Sequence, residues 1–108
     1  MGMVVARFGV YLVSLDPIVG TEMSKTGPCV VISPDEANQH LRTAINAPMT
    51  TVRRQYPTRV ACQFGRKTGE IALDQIRTVD QTRLTKRLGT LNAKTAASVL
   101  RTLQEMFA

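Results

Sequence analysis

The apolar stretches of this chain are short, rich in β-branched residues and repeatedly closed by proline or glycine, and this punctuation constrains the fold more than any other feature. Residues 9–15, GVYLVSL, run into Asp16-Pro17, which favours a turn and predicts a strand closing at Asp16. IVGTEMSK at 18–25 has neither a helical nor a strand period and reads as a surface loop carrying Glu22. Residues 29–33, CVVIS, form an almost continuous apolar run stopped by Pro34, as in a central strand buried on both faces. Leu41, Thr43, Ile45 and Ala47 alternate with their neighbours up to Pro48, which predicts a strand ending there. Val60, Cys62 and Phe64 alternate in the same way, and GRKTG at 65–69 predicts a hairpin turn into a returning strand over 71–76. Short strands with connections this tight pair antiparallel, because parallel neighbours need a long crossover.

Three helices are predicted between and after these strands. Ser33-Pro34-Asp35-Glu36 combines an N-cap serine, a proline at the first helical position and a glutamate three residues after the cap, which starts a short helix through about His40. A second short helix fits residues 80–88, with Gly89 as its stop. The third is C-terminal: Asn92 is its N-cap, and Ala96, Val99, Leu100, Leu103, Met106 and Phe107 share one face. The 108 residues suffice for one core. The expectation is a single domain over residues 1–108, α+β but mainly β: a small antiparallel barrel with three short-to-medium helices.

Fourteen Lys+Arg against eight Asp+Glu give a net charge of +6, which draws the chain toward polyanions. The apolar runs are too short to cross a bilayer and MGMVVARFG is no secretory signal, so a cytoplasmic protein with no membrane contact is expected. Cys29 and Cys62 lie inside apolar or alternating runs and read as core thiols. There is no glycine-rich phosphate loop, no HExxH and no Cys/His cluster, so neither a metal nor a cofactor is expected. His40 stands alone and reads as an exposed or capping residue. The polar residues that remain in loops and at strand ends are Glu22, Lys25 and Thr26, then Thr50, Thr51, Arg53 and Arg54, then Asp74, Gln75 and Arg77. Such groups suit metal-free phosphodiester chemistry, in which an RNA 2′-hydroxyl attacks its own phosphate with a proton acceptor, a proton donor and cationic stabilisation supplied. Taken one at a time, each is better accounted for as a solvated loop residue.

Read together, the segments at 10–17 (VYLVSLDP), 20–22 (GTE) and 25–34 (KTGPCVVISP) resemble the opening of toxins of the MazF/PemK family. Ala47-Pro48-Met49-Thr50 resembles the family's Pro-x-Thr strand end, Tyr56-Pro57-Thr58-Arg59-Val60 its following segment, and GEIALDQIRTVD at 69–80 its most recognisable block. Arg83-Leu84, Gly89 and the pattern from Val99-Leu100 to Leu103-Gln104 extend the resemblance over nearly the whole chain. It implies an SH3-like barrel with appended helices, a homodimer, and metal-independent cleavage of single-stranded RNA at short sequences, leaving a 2′,3′-cyclic phosphate and a 5′-hydroxyl. It also implies a cognate antitoxin of the MazE/PemI type whose C-terminal tail covers the RNA site.

Carried over residue by residue, the resemblance puts the family's catalytic threonine at Thr50 with Thr51 beside it, its loop glutamate at Glu22, and an aspartate proposed as proton acceptor at Asp74. The motif arginine falls on Gly27, and a second arginine used by some members falls on Ala72. RNA contacts are expected from Lys25, Thr26, Thr51, Arg53, Arg54, Gln75 and Arg77. Glycine supplies neither charge nor donors to a phosphate, so cleavage by this chain is expected to be weak or absent. Two other readings stand beside this one: a relative that only binds RNA or antitoxin, and a CcdB-like toxin of the same fold that binds a topoisomerase. Against the latter, the chain ends in Glu105-Met106-Phe107-Ala108 and contains no tryptophan.

Overall fold

The computed structural model describes residues 4–14 and 26–108. Strand β1 (Gly9–Ser14) pairs antiparallel with β2 (Thr26–Val31), in register from Val10 opposite Val30 to Ser14 opposite Thr26. After the helix α1 (Asp35–His40), β3 (Thr43–Thr50) pairs with β2 from Val31 opposite Asn46 to Cys29 opposite Pro48. The hairpin of β4 (Arg59–Phe64) and β5 (Lys67–Ala72) closes through Gly65 and Arg66, three residues tighter at its far end than GRKTG suggests, with Gly65 in the left-handed region at φ 61°. Then follow β6 (Arg77–Asp80), β7 (Leu84–Thr90) and the helix α2 (Ala93–Met106).

The strand expected over 71–76 is interrupted. Met49 and Thr50 of β3 lie opposite Ile71 and Glu70, whereas residues 43–46 lie opposite 80–77, a register offset by three residues. The 3₁₀ turn Leu73–Gln75 is the inserted length, so β5 and β6 form one broken strand alongside β3. Leu73 turns inward, fully buried, and its N–H reaches Thr58 O at 3.1 Å. Pro48 does not end β3 as expected. It sits opposite this break in the ladder, where a residue with no N–H is tolerated.

The helix expected over 80–88 is instead a 3₁₀ turn (Gln81–Arg83) followed by β7, and Gly89 is no helix stop. The two leucines Leu84 and Leu88 satisfy a helical spacing, but β1 would be left an open edge without β7, and that tertiary pairing overrides local preference. Gly89 lies at a register shift of the β1–β7 ladder. A Cβ there would come within 3.0 Å of Phe64 Cζ, so the two ends of the sheet curl toward each other. The strand order is β4-β5-β3-β2-β1-β7, with no ladder between β4 and β7 among the described residues. The architecture is therefore a curled, open antiparallel sheet with two α-helices, where a closed barrel with three was expected.

Both faces of the sheet are buried. Val10, Val30, Ala47, Val60, Ile71 and Leu73 form one core with Val99 of α2, while Tyr11, Val13, Cys29, Val31, Ala44 and Val79 form the other. The alternation along β1 and β2 sends successive residues to opposite cores, which is why these strands read as continuous apolar runs. On α2, Ala96 and Val99 are buried and Leu103 and Met106 pack on the core, but Phe107 is 70% exposed because it lies past the helix end, at the C-cap. Asn92 caps α2 as expected, its side chain accepting from Thr95 N at 2.8 Å. Ser33 does not cap α1. The cap residue is Pro34, and Ser33 Oγ instead accepts from Ile45 N at 3.0 Å and donates to Asn38 Oδ1, joining α1 to β3. Replacing Asn92 with Ala should lower the unfolding free energy by about 1 kcal/mol in a urea titration, while Asn92→Asp should stay close to the parent.

Candidate active site

The β2–β3 ladder ends at Cys29 opposite Pro48, and past that pair β3 takes β5 as its neighbour. The start of β2 and the end of β3 thus border a cleft of about 300 Å³, lined by Gly27 and Pro28, by Met49, Thr50 and Thr51, by Cys62 and Phe64, and by Lys67, Thr68 and Gly69. Met49 and Phe64 also pack on the α2-facing core, giving the cleft an apolar side anchored to the interior. The hydroxyls of Thr50, Thr51 and Thr68, with Lys67, give it the polar groups that bind and orient a charged ligand.

Thr50 is held from two directions. Its Oγ1 accepts the N–H of Val52 at 3.1 Å, which occupies one lone pair and leaves the hydroxyl proton available for donation. Behind it, β5 approaches so closely that a Cβ on Gly69 would lie 2.1 Å from Thr50 O. Only glycine permits that approach. At Gly27 the situation is reversed: a Cβ meets nothing within 4 Å among the described residues.

The segment at 51–58 is fastened by Glu70, which is 2% exposed. Its carboxylate accepts from Arg54 N and Gln55 N, both at 2.9 Å, and from Arg53 Nε at 3.3 Å. Arg59 Nη1 stands 3.5 Å away in an ion pair. Gln55 adopts φ 57°, the left-handed conformation that lets two successive N–H groups converge on one anion. The Arg54 N–H, then the Gln55 N–H and the Arg53 guanidinium, outweigh burial and hold the Glu70 carboxyl below its ordinary pKa of 4.5.

Asp74 belongs to a second ion pair. Arg59 Nε and Nη2 reach its two oxygens at 2.6 and 3.2 Å, and Thr58 Oγ1 donates to it at 3.1 Å. The Arg59 hydrogen bond is the main reason its pKa is lowered from 3.8. Such a carboxylate stays ionised near neutrality and is a weakened proton acceptor.

Of the residues singled out in the sequence, the fold brings Gly27, Thr50 and Thr51 into one cleft. Arg53 is 41% exposed and bound to Glu70, and Arg54 contributes its backbone to the same carboxylate. Asp74 and Gln75 sit in the 3₁₀ turn after β5, away from the residues lining the cleft. Arg77 lies opposite Asn46 and close enough to lower the Cys29 pKa, which burial has pushed up to about 12. Cys29 and Cys62 are both free and buried, as expected of core thiols. Glu22 and Lys25 lie outside the described residues, and Thr26 is described only through its backbone pairing with Ser14. His40 is exposed at the end of α1. Sequence reasoning missed Glu70, Arg59 and Lys67. A period-2 count along residues 67–72 places Glu70 in a strand interior, where an acidic residue demands partners.

A curled antiparallel sheet with a C-terminal helix and this cleft is the MazF fold. The crystal structure of MazF from Deinococcus radiodurans superposes with a TM-score of 0.83 over 97% of both chains at 22% identity. A mycobacterial endoribonuclease in complex with its cognate antitoxin superposes with a TM-score of 0.78 at 25% identity, covering 94% of this chain and 93% of that one. Among sequence relatives, endoribonuclease EndoA of Bacillus subtilis is 36% identical over 94% of this chain and 93% of its own length. Endoribonuclease MazF of Staphylococcus saprophyticus is 35% identical over 82% and 78%. The model of PemK-like, MazF-like toxins of type II toxin-antitoxin systems matches residues 6–107, and the chain belongs to that family.

Two outcomes follow from the geometry. Gly69→Ala should lower the thermal midpoint and disturb the Thr50 environment, read by the amide shifts of residues 50–52. Because Glu70 and Asp74 have lowered folded pKa values, the stability they contribute is complete above the ordinary carboxylate range and is lost as pH falls through their folded values. The urea midpoint should therefore decline below about pH 4.5, and Glu70→Gln should be less stable near neutrality with a shallower acid decline.

Proposed function

We propose that this chain, acting as one toxin domain over residues 1–108, is a sequence-selective endoribonuclease, and that Gly27 weakens it. The observation that carries this reading is the cleft joining Thr50 and Gly27, positions at which the family resemblance puts catalytic groups, with Thr51, which it puts at the RNA. In the proposed reaction the RNA 2′-hydroxyl oxygen bonds to the adjacent phosphorus and the bond from phosphorus to the 5′-oxygen breaks. The 2′ proton leaves to an acceptor and a proton is returned to the 5′-oxygen, so the products are a 2′,3′-cyclic phosphate and a 5′-hydroxyl, and no metal or cofactor is consumed. Thr50 donates its hydroxyl proton as a hydrogen bond to the phosphate, which its bond from Val52 N prepares it to do.

Glu22 is the proposed proton acceptor. Asp74, the other acidic candidate, is engaged by Arg59 and Thr58 and serves to hold the β4 end against the turn after β5. Lys25, Thr26, Thr51, Arg53, Arg54, Gln75 and Arg77 are proposed to contact RNA, the cations through phosphates and Gln75 through a base edge. The relatives named above as endoribonucleases support the activity, and the antitoxin complex of the mycobacterial neighbour supports a MazE/PemI-like partner. We place the protein in the cytoplasm, as a homodimer, with its antitoxin covering the RNA site. No helix among the described residues is long and apolar enough to cross a membrane.

A side chain at position 27 can leave the backbone freely, since nothing among the described residues lies within 4 Å of a Cβ there. Gly27→Arg is expected to raise the cleavage rate about a hundredfold, the value of one well-placed transition-state donor. Incubation of both proteins with a long RNA and mapping of fragment ends tests this. Equal rates would overturn the proposed role of position 27, and a mobility shift without cuts from either protein would favour a binding-only relative.

A further inference from the structure

We infer that Lys67 supplies the cationic stabilisation that the missing arginine would otherwise give, and that it sustains the residual cleavage of this chain. The inference rests on the endoribonuclease reading above. Lys67 is the one charged residue among the described residues lining the cleft, and it shares that cleft with Gly27, Thr50 and Thr51. Its side chain is exposed, and no ion pair to it occurs among the described residues. Neither guanidinium of the Glu70 network lines the cleft. Arg53 is paired with Glu70, and Arg59 with Glu70 and Asp74. Gly27, which lines the same cleft, has no described atom within 4 Å of where a Cβ would stand.

The hairpin fixes where Lys67 begins. It is the first residue of β5, directly opposite Phe64 across a two-residue turn. Phe64 is anchored on the core, so the lysine stem starts from a rigid base at the cleft wall. From there a four-carbon stem delivers an ammonium with three donors to a bound phosphate. In the reaction the 2′-oxygen bonds to phosphorus, the bond to the 5′-oxygen breaks, and the proton moves from the 2′ to the 5′ side by way of the acceptor. Lys67 exchanges no proton. It remains an ammonium and neutralises charge on the non-bridging oxygens. A point charge lacks the planar fork of an arginine, which accounts for activity that is weakened rather than lost.

The test is single-turnover cleavage of a long RNA, with fragment-end mapping, by four proteins, the parent, Lys67→Met, Gly27→Arg and the double variant, with Lys67→Arg as a fifth. The parent is expected to cut slowly at a discrete short sequence, and Lys67→Met to slow it about a hundredfold. In the Gly27→Arg background the same lysine change should cost less than about threefold, because the arginine carries the charge. Lys67→Arg should keep or raise the parent's rate, and thermal midpoints should agree across the set, since an exposed hairpin side chain is removed. If Gly27→Arg cuts while the parent does not, or if the lysine change costs nothing, or costs the same in both backgrounds, the role of Lys67 is overturned and the endoribonuclease reading stands. If none of the four cuts, both fall together.

Discussion

The buried carboxylate of Glu70 is the interaction on which the cleft region depends. An anion this deeply enclosed is costly unless every oxygen finds a donor, and here two backbone N–H groups, one guanidinium and a second guanidinium in ion-pair range converge on it. Because those donors come from residues 53–55 and from β4, the carboxylate ties a loop that would otherwise be solvated to the middle of the sheet. The left-handed turn at Gln55 is the backbone adjustment that makes the convergence possible. Arg59 extends the network from Glu70 to Asp74, so β4, the end of β5 and the following turn move as one unit.

That unit borders the proposed site on one side, and the parting of β2 from β3 opens it on the other. The inserted turn Leu73–Gln75 lets a single neighbouring strand serve β3 in two registers, and Gly69 brings that strand against Thr50. The geometry around the threonine is thus a product of packing: a hydroxyl on a strand end, fixed by its own turn and by backbone from behind. Residues that are unremarkable singly come together because the sheet delivers them to one cleft.

The family's chemistry and this chain's departure from it meet at Gly27. Membership is carried by the match over residues 6–107 and by relatives that align over most of their length. Among the described residues nothing crowds Gly27 and its φ is not in the left-handed region, so the backbone there does not require glycine. In the proposed reading position 27 bears on charge, and Lys67, which lines the same cleft, is the group proposed to respond.

Local patterns in the sequence determined most of the elements. The strands at 9–14 and 59–64, the part of β2 at 29–31, the cap of α2 by Asn92 and its buried face follow from β-branched runs, alternation and capping chemistry, which act over a few residues, whereas the extension of β2 back to Thr26 and its end before Ile32 do not. Ordered motifs likewise disclosed the family and directed attention to Gly27, Thr50 and Thr51. Only tertiary structure decided that 84–90 is a strand, that β3 passes through Pro48, and that 71–76 is broken, because each depends on which partner stands alongside. The same holds for the pairing of Glu70 with a loop some fifteen residues away and for the place of Lys67 beside Thr50. Hydrogen-bond satisfaction of a buried charge and the meeting of distant strand ends are long-range facts, and no local period encodes them.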